Sequence, residues 1–213
     1  LIDYENIRDK SKEAYRYLGF GRFAGIVGCY NTLNLYLKLN KKKSLPRAFE
    51  INSYEKIKKL IANQNFSKLK ILQTGKGNVA KGSMEILKYA NIKQISLEDY
   101  LNKKYDESVF CNISIREHFE RKDGKDSSYQ DFILSPHKYE SKVKNYLFDT
   151  DILITGHYWD PKSPKLFYQD QIKEFKKLKI IGDITCDIDG SIPTTIRSTT
   201  IAKPYYSVDI NSM

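Results

Sequence analysis

Apolar residues at Phe23, Ile26, Val27, Tyr30, Leu33, Leu35 and Leu37 follow the helical period across residues 20–39 and predict a helix there. Gly21, Ala24, Gly25 and Gly28 crowd its first turns. Glycine costs a helix roughly 1 kcal/mol against alanine, so this cluster implies close packing of the backbone against another element or a ligand. Residues 41–44 with Pro46 form a charged break, and residues 53–63 a second amphipathic helix. Downstream the pattern shifts to short apolar runs that read as strands at residues 70–74, 92–95, 108–113, 151–155 and 179–183. Helices are expected at 79–89 and 166–177. Strands alternating with helices predict an α/β fold around a parallel sheet. Residues 116–145 are polar and lysine-rich, with Asp123-Gly124 as a turn and Pro136 as a breaker, and predict an insertion of short helices at about 114–147. Residues 1–19 read as a strand at 1–4, a polar turn at 9–11 and an extended piece ending near Leu18. No internal repeat is visible.

One turn gives this pattern a chemistry. Gly75-Lys76-Gly77-Asn78-Val79-Ala80 follows the strand at 70–74 and opens the helix at 79–89, the strand, tight turn and helix order of a dinucleotide-binding unit. Gly75 permits the turn, Gly77 lets the backbone approach a pyrophosphate, and small Ala80 lets helix and strand pack closely. The diphosphate would sit on the unpaired amides of the helix N-terminus. The alternative is a plain strand-to-helix turn. The expected fold is therefore a Rossmann-like, doubly wound parallel sheet, in which ligands bind beyond the carboxyl ends of the strands. Three loops fall there: 75–80, 156–164 and 184–196. The second carries His157-Tyr158-Trp159-Asp160-Pro161 and the third Asp183, Asp187, Asp189, Gly190 and Pro193. Such a concentration of polar and aromatic residues suggests a cofactor crevice, with ordinary loop composition as the alternative.

Composition narrows the classes. With 213 residues and 40% apolar content the chain can bury a real core. No stretch approaches the roughly 20 apolar residues that span a bilayer, and the start has no signal layout, so a soluble cytoplasmic protein without membrane partners is expected. The first residue is not Met and the last ones form no recognisable terminal element, so the chain reads as a piece of something longer. Cys29, Cys111 and Cys186 are far apart and lack a CxxC pair, which supports reduced, mostly buried thiols rather than a disulfide framework or zinc knuckle. His118, His137 and His157 are equally scattered, and no metal is assigned. The net charge of +10 raises nucleic acid as a partner, with Lys41-Lys42-Lys43 and Lys176-Lys177 as phosphate contacts. Yet the excess is almost all lysine, with seven arginines, and it is spread along the chain. Nucleic acid is therefore not expected, and the oligomeric state is left open.

Several segments together resemble a known family. They are Gly19-Phe20-Gly21-Arg22-Phe23-Ala24-Gly25-Ile26-Val27-Gly28, the Gly75 turn, Asp151-Ile152-Leu153-Ile154 with Tyr158-Trp159-Asp160-Pro161, and Gly182-Asp183-Ile184-Thr185-Cys186-Asp187-Ile188-Asp189-Gly190-Ser191-Ile192-Pro193. In this order they resemble the NAD-dependent, lysine-forming saccharopine dehydrogenases, or lysine-oxoglutarate reductases. The glycine turn is shared with the related alanine dehydrogenases and pyridine nucleotide transhydrogenases. The resemblance implies a two-domain oxidoreductase that converts saccharopine, NAD and water to lysine, 2-oxoglutarate and NADH. Residues 1–40 would be the edge of the substrate domain and its crossing helix, 41–66 a helical connection, and 67–213 the dinucleotide-binding domain.

The resemblance also implies site residues. Glu5 and Arg16 fall where the family places a cleft carboxylate and a substrate-binding arginine, and a guanidinium suits a substrate with three carboxylates. The alternative for this pair is a surface salt bridge. Phe20 would line the cleft, or else serve as a core aromatic. Gly75, Gly77, Asn78 and Val79 would hold the pyrophosphate. Glu98 or Asp99, about 20 residues past the turn, would accept the adenosine ribose hydroxyls and select NAD, while Lys93, Lys103 and Lys104 leave NADP as the alternative. Tyr158, Trp159 and Asp187 would lie near the nicotinamide end.

The departures matter as much. The family's catalytic lysine and histidine belong to a segment upstream of this chain, and no motif here supplies them. General acid and base work needs such groups within hydrogen-bond reach, so the chain is expected to hold cofactor and turn over little. Alanine dehydrogenase-like activity, or a non-catalytic dinucleotide-binding regulator, are the alternatives.

Overall fold

The computed structural model describes residues 7, 18–126 and 128–211. The strand expected at 1–4 and the turn at 9–11 lie outside the described residues. In chain order the elements are α1 (Gly21–Leu39), α2 (Tyr54–Ala62), β1 (Lys70–Thr74), α3 (Asn78–Tyr89), β2 (Lys93–Ile95), α4 (Leu97–Asn102) and β3 (Val109–Ile113). They continue with α5 (Ile115–His118), β4 (Phe119–Arg121), α6 (Tyr129–Leu134), β5 (Tyr139–Ser141), α7 (Val143–Leu147), β6 (Ile152–Thr155) and β7 (Ile180–Asp183). Short 3₁₀ turns occur at Ala48–Glu50, Pro136–Lys138 and Gln169–Glu174.

Five strands form one parallel sheet in the order β2-β3-β1-β6-β7. Its central strands are buried on both faces, which is why β1 and β6 read as nearly continuous apolar runs. The chain runs from β1 to the far edge at β2, returns to β3 beside β1, then crosses to β6 on the other side. The order therefore reverses between β1 and β6, the place where open α/β sheets carry their ligands. Thr74 is level with Ile113 and Thr155, and Thr155 with Asp183, so four loops leave the carboxyl edge side by side.

Helices cover one face of the sheet. Ile26, Cys29, Tyr30, Leu33 and Leu37 of α1 join Ile57 and Ile61 of α2, Ile86 and Leu87 of α3, and Ile71, Phe110 and Ile154 of the sheet in a single core. Each such large side chain contributes roughly 1.5–3 kcal/mol on burial. The segment after α1 is tied back to it: Tyr30 Oη donates to Pro46 O (2.8 Å), and the Asn34 amide pairs with both backbone groups of Leu45. Residues of α1 and α2, from the segments expected as the edge of a substrate domain and its connection, thus pack against this face of the sheet.

The small residues of α1 meet α3. A Cβ on Gly25 would stand 1.9 Å from Val79 O, and one on Gly82 1.9 Å from Arg22 O. The close backbone packing inferred from the glycine cluster is thus present, and its partner is the helix that follows the Gly75 turn.

The other face carries a second core, in which Leu72, Cys111, Ile113 and Leu153 meet Tyr100, Phe119, Phe132, Tyr139, Leu147, Phe167 and Phe175. The insertion supplies much of it and contains an antiparallel pair, β4 with β5, besides the expected short helices. The helix expected at 166–177 is a correction. Leu166 donates its N–H to Ser191 O and its carbonyl accepts from Ser141 Oγ, so the segment enters bent rather than helical. Only Gln169–Glu174 winds, as 3₁₀ helix, and Ile172, Phe175 and Leu178 recur every three residues, the 3₁₀ period. Cys29 and Cys111 are buried and Cys186 is exposed. No helix among the described residues is long and apolar enough to cross a membrane.

Candidate functional site

The turn after β1 is built for close approach. Gly75 has φ +97°, a region that side chains disfavour, and a Cβ there would stand 2.5 Å from Gly156 O. Its N–H bonds Ile113 O at 3.0 Å. Gly77 is the N-cap of α3, and the helical ladder begins when Lys81 N bonds Gly77 O at 3.0 Å. The amides of Asn78, Val79 and Ala80 precede that first bond. No side chain caps them and no acidic residue occupies the first turn. The positive end of the helix dipole therefore faces outward. A Cβ on Gly77 would meet nothing within 4 Å, so the space in front of these amides is open.

That space is a crevice of about 400 Å³ at the reversal between β1 and β6, within the roughly 300–1,000 Å³ typical of ligand pockets. Gly77, Asn78 and Val79 form its floor. Gly156 to Trp159 form one wall, and Ile184, Thr185 and Asp187 the other. Asp183 organises that second wall: its carboxylate accepts from Thr155 Oγ1 (2.5 Å), Thr185 N (3.2 Å), Thr185 Oγ1 (2.5 Å) and Thr195 Oγ1 (2.5 Å).

Two histidines stand behind the cradle. His157 Nδ1 pairs with Thr74 Oγ1 at 2.8 Å, and the His118 ring packs edge-on against it, centroids 5.2 Å apart. Burial pushes the His157 imidazole down to about 4, against the opposing pull of Asp183. His118 is driven well below the ordinary histidine value, by burial first and by His157 second. Burial thus favours the uncharged form of both rings. His157 Nε2 and Trp159 Nε1 are buried without a protein partner, and buried polar atoms rarely stay unpaired. An open anion cradle beside the Trp159 nitrogen, unpaired among the described residues, fits a polar, phosphate-bearing cofactor.

The crevice brings together Gly77, Asn78, Val79, Tyr158, Trp159 and Asp187, with Gly75 directly behind. Gly156, His157, Ile184 and Thr185 join them; none had been assigned a role, although each sits just past a strand end. Phe20 caps the start of α1 and is 56% exposed. It lies outside the crevice lining, near the first turn of α3, where a Cβ on the next residue, Gly21, would be 3.4 Å from Asn78 Cβ. Glu5 and Arg16 lie outside the described residues. Glu98 and Asp99 occupy the first turn of α4, where Asp99 N–H donates to Ser96 Oγ and its carboxylate pairs with Lys103 at 2.8 Å. They follow the edge strand β2, with β3 between them and the glycine turn. The strand beside the turn is β3, and the charged residues after it are Arg116, exposed, and Glu117, whose carboxylate accepts from Ser114 N–H and Oγ–H. Lys177 forms an ion pair with Asp149. Among the described residues no cluster of three or more His, Cys, Asp or Glu side chains could hold a metal.

No protein-family model matches the chain. Among curated proteins it is similar to alpha-aminoadipic semialdehyde synthase of Arabidopsis thaliana, 29% identical over 97% of this chain and 23% of that protein. It is also similar to the mitochondrial alpha-aminoadipic semialdehyde synthases of Bos taurus, 27% identical over 98% of the chain and 27% of the relative, and of Rattus norvegicus, 26% identical with the same coverage. The chain thus spans about a quarter of the length of these relatives. Among solved structures, an L-alanine dehydrogenase aligns over 96% of the chain and 48% of its own, with a TM-score of 0.43 and 13% identity. The relationship to the lysine-metabolising enzymes that the motifs pointed to is borne out by these sequence relatives.

Proposed function

We propose that this chain is the dinucleotide-holding part of an amino-acid dehydrogenase that, as a whole protein, interconverts saccharopine, NAD and water with lysine, 2-oxoglutarate and NADH. The observation that carries the proposal is the meeting of three strand-end loops around an uncapped helix N-terminus at the reversal of the sheet. The similarity to the semialdehyde synthases supports the amino-acid substrate.

Held on the amides at 78–80, a nicotinamide cofactor would supply a hydride acceptor for the carbon that bears the substrate's secondary amine, and water would then divide the C=N bond into an amine and a 2-oxo acid. This chain's residues hold and orient. The amides at 78–80 bind the diphosphate, open space at Gly77 admits it, and the Trp159 indole N–H supplies an unpaired donor in the wall. Asp187 stands on the opposite wall, toward the nicotinamide end. Arg16 and Glu5 would meet the substrate from this chain, while the proton-transfer groups would come from the rest of the protein, so the isolated chain binds cofactor without appreciable turnover.

The cofactor proposed is NAD, with the ribose hydroxyls met from the turn after β3, where Glu117 supplies a carboxylate. A second reading, NADP, is favoured by Arg116, an exposed cation on that same turn that could grip a 2′-phosphate. Titration with NADH and NADPH separates the two. The full-length protein assayed with lysine and 2-oxoglutarate, against pyruvate and ammonia, tests the substrate. Oxidation of NADH with pyruvate and ammonia alone would replace the saccharopine assignment with an alanine dehydrogenase-like one.

A further inference from the structure

His118 is buried and His157 half-buried behind the cradle, and each ring has one nitrogen bonded and one unpaired. His118 Nε2 lies 3.2 Å from Ile113 O. A carbonyl only accepts, so Nε2 carries the hydrogen and the unpaired Nδ1 is an acceptor. Thr74 Oγ1 is 2.8 Å from His157 Nδ1 and 3.4 Å from Gly156 N. The Gly156 amide, which also bonds Thr74 O at 3.1 Å, donates toward that hydroxyl, leaving its hydrogen for His157 Nδ1. His157 is then the Nε2–H tautomer, and its unpaired nitrogen is a donor. The opposite tautomer would leave the buried Thr74 hydroxyl without an acceptor. So two touching rings, edge to face at 75° with centroids 5.2 Å apart, carry one unpaired donor and one unpaired acceptor.

We propose that Thr74, His157 and His118 form a positioning chain that locks the two glycines of the phosphate cradle together. It runs from Gly156 N–H to Thr74 Oγ1, from the Thr74 hydroxyl to His157 Nδ1, and from His157 Nε2–H to His118 Nδ1 through one bridging water, since the two nitrogens do not bond directly. From His118 Nε2–H it passes to Ile113 O. That carbonyl also accepts the Gly75 amide at 3.0 Å, so the chain begins at Gly156 and ends at Gly75. These are the two residues whose backbones approach so closely that a Cβ on Gly75 would clash with Gly156 O. Burial disfavours a charged imidazole here, and an uncharged chain of this kind has a fixed polarity. The consequence for binding rests on the dinucleotide reading; the tautomer pattern does not.

Nitrogen-15 spectra of the histidine rings at pH 7 test the chain directly. Both His118 and His157 are expected as neutral Nε2–H tautomers, and an Nδ1–H tautomer or a charged ring at either position overturns the proposal. Thr74→Val removes one link in a side chain of similar shape. It is expected to weaken NADH and ADP alike by about tenfold, with circular dichroism unchanged, and Thr74→Ser to restore binding to within about twofold. Unchanged ADP affinity in a folded Thr74→Val protein overturns the positioning role. A wild-type chain that binds neither NADH nor ADP removes the dinucleotide reading and the positioning role with it, while the spectra still decide the tautomers.

Discussion

Gly82 of α3 lies so close to Arg22 of α1 that a methyl group on the glycine would stand 1.9 Å from the Arg22 carbonyl oxygen. Alanine is the better helix former by roughly 1 kcal/mol, but the obstacle is backbone, which cannot swing aside. Overpacking of this kind costs about 1–3 kcal/mol. Gly82→Ala is therefore expected to lower Tm by several degrees and, because α3 must shift, to weaken cofactor binding. A rise in Tm would show that the two helices are not in contact.

Gly77→Val should separate binding from stability. The Cβ position faces open space, so the folded chain accommodates the side chain, and thermal stability is expected to stay within about a degree of wild type. The branched group occupies the approach to the amides at 78–80. Affinity for NADH is expected to fall at least tenfold, about 1.4 kcal/mol, as read by calorimetric titration.

Sequence pattern and structure agree where local signals dominate. The strand at Lys70–Thr74, the turn at Gly75 and the helix ending at Tyr89 are consecutive in the chain, and each has its own period or glycine signal. What escaped the pattern depends on distant partners. Gln169–Glu174 is entered from a non-helical Leu166 that bonds Ser191 and Ser141, and neither serine is a neighbour in sequence. The β4 and β5 pair joins residues about twenty apart across a polar stretch with no alternating pattern. Strand order was also hidden. Reading a ribose carboxylate onto Glu98 and Asp99 assumed that the second strand lies next to the first, whereas β3 takes that place. His157 stood in a quoted motif without a role, since only the fold brings it against Thr74 and His118.

The order of strands yields a prediction about cofactor choice. With Glu117 supplying a carboxylate just after β3, NADH is expected to bind more tightly than NADPH. Arg116→Ala should widen that preference by several-fold, by removing the cation that tolerates a 2′-phosphate, and Glu117→Gln should narrow it. Dissociation constants for both nucleotides against the three proteins check this, and tighter NADPH binding that Arg116→Ala abolishes would establish the second reading instead.

An ion pair fastens α1 to the cradle helix. Arg22 Nε and Nη2 reach the two oxygens of Glu85 at 2.6 and 2.5 Å, and Tyr54 Oη donates to the same carboxylate at 2.8 Å. The Arg22 guanidinium holds the Glu85 carboxyl below its ordinary value. A carboxyl depressed in the folded state contributes stability above its unfolded pKa and loses it as pH falls through the folded value. Both side chains are partly exposed, so solvent screens the pair and its contribution is small. Urea titrations are expected to show Glu85→Gln less stable than wild type at pH 7 and the gap shrinking toward pH 3. A gap that widens on acidification would contradict the pairing.

The chain holds a single tryptophan, Trp159, in the wall of the crevice with its indole N–H unpaired. Titrating NADH while exciting that residue is the most direct test of a dinucleotide site between β1 and β6. Saturable quenching, with sensitised nicotinamide emission that NAD displaces and that Gly77→Val abolishes, is the expected result. A folded chain that shows no change in Trp159 emission and no heat on titration with NADH or NADPH would contradict the site.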